Sequence, residues 1–141
     1  MRVPVTHFKK ELFRILKTIL PENFSYRDSE DSVDAGKTPG VCISTDAGTE
    51  FSKTEYGLNQ GKTSVKLDVF VSVGKTFRNN AETDQLQHKI RQAVLSDPLI
   101  RQNYPDTEFT KIAALSIPGE SRLRVLTHDI EFLWTEVSES E

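Results

Sequence analysis

Three Gly-Lys-Thr triplets, beginning at Gly36, Gly61 and Gly74, are the residues that come nearest in type to a chemical site. Gly-Lys-Thr is how a phosphate-binding loop ends, with backbone N–H groups and the lysine gathered around an anion. That loop also needs a glycine five residues before the Gly-Lys pair. The residues at that offset are Asp31, Tyr56 and Val69. The loop must also lead from a strand into a helix whose N-terminus faces the phosphate. Gly61-Lys62-Thr63 leads instead into a valine-rich run, and Gly36-Lys37-Thr38 into Pro39-Gly40. The triplets read as turn residues, and no nucleotide is expected.

Other arrangements offer no more. His7 and Glu11 lie one helical turn apart, as do Asp84 and His88, so each pair supplies at most two metal ligands and reads as a surface ion pair. His128 and Asp129 are adjacent on an expected strand, where neighbours point to opposite faces and cannot act as base and orienter. Cys42, the single cysteine, sits in an apolar run and reads as an inert buried thiol. No catalytic residue, metal or cofactor is expected.

Composition narrows the class further. The chain has 141 residues, 36% of them hydrophobic and 28% charged, enough for one domain. Its net charge of −3 argues against nucleic acid as the main partner, since that binding rests on a basic surplus. One cysteine permits no internal disulfide. No apolar run approaches the ~20 residues that span a bilayer, and the N-terminal residues lack the apolar block of a secretory signal.

The elements follow from periodicity. In FKKELFRILKTIL, Phe8, Leu12, Ile15, Leu16, Ile19 and Leu20 fall on one helical face, with Pro4 or Thr6 as the start. Lys9, Lys10, Arg14 and Lys17 occupy the other face, either solvated or turned towards something acidic. NFSYR and GVCIS read as short strands. Val65, Leu67, Val69, Val71 and Val73 alternate with polar residues, broken only by Phe70, and predict a strand with one face on the core. Residues 80–97 predict a second helix, capped by Asn80 or Thr83 and closed by Asp97-Pro98, with Leu86, Ile90, Ala93 and Val94 buried. TEFTKIAALSI and RLRVLTHDIEFLWTEV predict a hairpin around Pro118-Gly119, with Leu126, Ile130, Phe132 and Trp134 on one face. The expected fold is α+β, in the order α-β-β-β-α-β-β: a mostly antiparallel sheet of four to five strands packed against two main helices. Residues 1–137 form one domain and 138–141 a short acidic tail.

Two polar stretches, residues 28–39 and 46–64, read as long loops, which in a small domain are functional or disordered. Phe51, Tyr56 and Leu58 interrupt the second, and need either their own core or another chain to cover them.

The order of these elements resembles the tail terminator, or tail-completion, proteins of long-tailed phages, the family of the lambda tail terminator. PGVCIST, KTSVKLDVFVSV and above all DQLQHKIRQAVLSDPLI carry the resemblance, which covers nearly the whole chain. It implies a structural, non-enzymatic protein of the virion, made in the host cytoplasm. Such proteins form a ring, usually of six copies, on the head-proximal end of the tail tube, where it stops tube elongation and offers the head its attachment surface. The partners implied are further copies of the chain, the major tail tube protein and a head-completion or connector protein, with DNA passing through the ring without sequence-specific binding. A head–tail joining protein and, from a different class, a small nucleic-acid-binding module carried by the basic face of the first helix are the alternatives.

On this view residues 47–60 contact a neighbouring subunit or the tube, with Phe51, Tyr56 and Leu58 as apolar anchors and Lys53 and Lys62 beside them. As a loop, the stretch is expected to be removable without loss of the fold. Triplets that hold no phosphate carry a prediction of their own: ATP leaves the melting temperature of the parent and of Lys62→Ala unchanged. Stabilisation by ATP in the parent alone would overturn it.

Overall fold

The computed structural model describes residues 4–28, 39–53, 59–74, 77–117 and 120–135. The chain runs α1 (Pro4–Ile19), β1 (Ser25–Asp28), β2 (Gly40–Lys53), β3 (Asn59–Ser72), α2 (Asn80–Ser96), α3 (Pro98–Asn103), β4 (Glu108–Ile117) and β5 (Glu120–Thr135). The five strands lie in the order β1-β2-β3-β5-β4. Only the β1–β2 pair is parallel; the other three are antiparallel. The α+β class and the expected order are both found, with α3 added after α2.

Pro4 opens α1, where a missing N–H costs the helix nothing. The stripe Phe8, Leu12, Ile15, Leu16 and Leu20 is buried, as the spacing requires. The cap of α2 falls one residue earlier than expected, on Asn79, whose side chain accepts the N–H of Glu82 at 3.0 Å. Glu82 in turn accepts the N–H of Arg78 at 2.8 Å. Asp97 ends α2 and caps α3 through the N–H groups of Leu99 and Ile100, both at 3.2 Å.

Strand alternation determines which face meets the helices. Val65, Leu67, Val69 and Val71 of β3 are buried opposite Val41 and Ile43 of β2 and Leu126 and Ile130 of β5. Phe132 lies beneath α1, where its ring stacks on Phe8 with centroids 3.9 Å apart and planes 11° from parallel. Tyr104, just past α3, meets both rings edge-on, at 5.1 Å from Phe8 and 5.2 Å from Phe132. His7 Nδ1 lies 2.5 Å from the Tyr104 hydroxyl. One aromatic cluster therefore joins α1, the exit of α3 and the centre of the sheet.

His128 belongs to this covered face and is fully buried. Its Nδ1 lies 3.2 Å from the Leu67 carbonyl, Nε2 has no hydrogen-bond partner, and Phe109 presents its ring at 90°. Burial pushes its pKa below 6.5, against the smaller opposing pull of the Leu67 and Leu126 carbonyls and of Asp129. The folded chain thus holds a neutral imidazole that the unfolded chain protonates once pH falls below about 6.5. Stability should be fully present above that pH and decline below it, by as much as about 1.4 kcal/mol per pH unit from this group. Urea titrations from pH 7 to 5 should show the decline, and His128→Leu should flatten it.

Candidate assembly interface

The second long polar stretch is mostly strand. β2 continues to Lys53 and β3 begins at Asn59, so the connection shrinks to residues 54–58, outside the described residues along with Tyr56 and Leu58. Ser, Thr, Gly and Lys replace apolar alternation here, and the backbone ladder continues through them. The ladder breaks between Thr45 and Thr49 and resumes as Thr49↔Thr63, Phe51↔Gly61 and Lys53↔Asn59. β5 flanks the same part of β3, pairing Thr63 with Phe132 and Gly61 with Trp134. Phe51, Gly61 and Trp134 therefore form one row across three strands. Residues 47–60 therefore include paired strand, contrary to the expectation of a loop, and removing them would delete part of the β2–β3 ladder.

This row accounts for the central triplet. Gly61-Lys62-Thr63 is not a turn but part of β3. The indole of Trp134 lies over the Gly61 backbone, and a Cβ added there would overlap its Cζ2 and Cε2 and come within 2.8 Å of Nε1. The indole N–H donates to the Thr63 hydroxyl at 3.0 Å. Glycine is present because a ring occupies its side-chain space, and threonine because that ring has a proton to place. Lys62, between them, belongs to the opposite face, where Nζ lies 3.2 Å from Glu131. A groove of about 370 Å³ opens there, lined by Lys62, Asp106, Thr107, Glu108 and residues 131–133. Gly74, with φ +98°, is a turn residue as expected; the Gly36 triplet, Lys75 and Thr76 lie outside the described residues.

The remaining chemical candidates take structural positions. His7 Nε2 lies 3.8 Å from Glu11, but the same ring is tied to Tyr104, so this pair belongs to the helix-to-sheet joint rather than the open surface. Asp84 pairs with Arg124 at 3.6 Å. Cys42 is buried. Among the described residues no group of three or more His, Cys, Asp or Glu side chains is placed to hold a metal ion, and no helix is long and apolar enough to cross a membrane.

The basic face of α1 is partly engaged within the chain. Arg14 donates to Glu11 at 2.8 Å and to Asp97 at 2.6 Å, and the Lys17 ammonium lies 5.2 Å from the Tyr26 ring centroid. Desolvation raises the Asp97 pKa, but Arg14 and the N–H groups of Ile100 and Leu99 outweigh it and hold the carboxyl below its usual range.

Sequence reasoning missed the strand edges. Among the described residues β4 has a strand on one side only, and β1 covers β2 only from Gly40 to Ile43. β4 exposes Leu115 by 59% and Ile112 by 39%. Edge strands are ordinarily guarded by charge, yet KIAALSI contains one lysine in seven residues. That sparseness was the available signal.

No family model matches the chain, and no curated protein matches it. Among solved structures, the fold is similar to that of a chain in the virion of a native gene transfer agent (GTA) particle, with a TM-score of 0.55 and 9% identity over 89% of this chain and 84% of the other. At that identity the likeness is one of fold.

The packing at Gly61 predicts a non-additive result. Gly61→Ala should destabilise the parent by about 1–3 kcal/mol, the usual cost of overpacking. In a Trp134→Ala background the same substitution should cost little, because the ring that it strikes is gone. Chemical denaturation of the four proteins measures the difference.

Proposed function

We propose that this chain is a structural component of a phage-like virion that acts as a tail terminator: copies close into a ring, six by resemblance to that family, which caps the head-proximal end of the tail tube and receives the head. The observation that carries this reading is the pair of strand edges that, among the described residues, stand open on opposite sides of one sheet. Head-to-tail association around a closed axis needs two different surfaces on each copy. The outer part of β2 and the exposed edge of β4 are such a pair, and unpaired backbone groups with Ile112 and Leu115 beside them favour strand pairing. The likeness to a chain of a GTA virion supports the setting. Within it, Phe51 and Lys53 contribute from β2 and Lys62 from β3, with Tyr56 and Leu58, which lie outside the described residues, proposed beside them. The tube subunit and the head connector meet the two ends of the ring.

The same fold would serve a head–tail joining protein, and electron microscopy of particles lacking this chain separates the two. Over-long or ragged tails identify a terminator; normal free tails beside filled heads identify a joining protein. On the purified chain, light scattering should show a closed oligomer that grows with concentration. Leu115→Lys with Ile112→Asp should leave the circular dichroism native-like and shift the population to monomer. A pair variant that assembles like the parent would remove β4 from the interface.

A further inference from the structure

Trp134 stands at the limit of the helix-covered core. Phe132, two residues earlier on the same face, is fully buried under Phe8 and Tyr104, whereas Trp134 is only partly buried. Its ring lies along the sheet, over Gly61, and bonds to Thr63, which is 1% exposed. Through Gly61 the backbone register continues to Phe51, on the outer length of β2, where among the described residues no β1 pairing is found. The contact joins β5 to the part of β3 that pairs with β2 beyond the break between Thr45 and Thr49.

We propose that the Trp134–Gly61–Thr63 clamp is the positioning device of the assembly edge: it fixes the outer length of β3 against β5, and with it the length of β2 paired to β3, so that a second copy of this chain meets a preformed strand. The proposal rests on the ring reading given above. A strand that is ordered before contact loses less freedom on association, and a side-chain period of two makes any slip of register turn every side chain to the wrong face. Glycine at position 61 lets the indole lie flat against β3. The indole N–H allows that placement only while its acceptor stays in place. Trp134 and Thr63 are thus positioning residues, and neither needs to touch the neighbour.

Trp134→Phe and Thr63→Val test this, each removing one half of the hydrogen bond while keeping an apolar side chain. Both should retain native-like circular dichroism. Backbone exchange should speed up by about tenfold across residues 49–53 and 59–63 but not across 65–71, as expected when one such bond is lost locally. The concentration at half-assembly should rise by about tenfold or more. Ile90→Val, chosen on α2 away from the ladder, serves as the stability control and should assemble like the parent. Variants that assemble at the parent's concentration overturn the proposal, as does a control that loses assembly in step with stability. A parent monomeric at every concentration overturns the ring reading and the docking role with it; local exchange, measured separately, then shows the clamp to be an internal brace alone.

Discussion

The stacking of Phe8 on Phe132 is the contact on which the rest of the molecule depends. It joins the first helix to the central strands across more than a hundred residues of sequence, and Tyr104 closes the cluster from the exit of α3. Each of these rings buries enough apolar surface to contribute about 1.5–3 kcal/mol. Phe132 also sits opposite Thr63, the acceptor of the Trp134 indole. The covered core and the outer ladder therefore meet at one residue pair, and a disturbance of either is felt by the other.

A sheet with both main helices on one face must end somewhere, and here its ends are informative. The described edge at β4 carries leucine and isoleucine, and among the described residues β1 pairs with β2 only from Gly40 to Ile43. Buried chemistry is sparse by contrast. His128 is held neutral among apolar groups, Cys42 is enclosed, and the ion pairs at Arg14 and Arg124 tie helices to their neighbours. These buried groups hold the helices and the sheet together rather than forming a reactive centre among the described residues.

The sequence made the helices and β3 legible because burial imposes a strong period on them: 3.6 in FKKELFRILKTIL, two in VKLDVFV. It concealed the outer hairpin because Ser, Thr, Gly and Lys there show no apolar alternation. The Gly-Lys-Thr triplet at residue 61 shows the limit most clearly. Local grammar excluded a phosphate loop but assigned a turn, since the ring that explains the glycine lies seventy-three residues away. Asn79 was missed by one position because two asparagines stand in succession and either can cap. α3 was hidden because six residues give no period. Strand parity separates His128 from Asp129, yet nothing local signals that the imidazole is fully enclosed.

One consequence of the clamp concerns light. The chain contains a single tryptophan, and it is the one that lies across Gly61. Ultraviolet emission from this protein therefore comes from the margin of the sheet and is blind to most of the helix layer. A change of wavelength would register events at that margin even when the backbone signal of the whole molecule stayed still, giving the chain an intrinsic lamp at the place where its order has to reach furthest from the core.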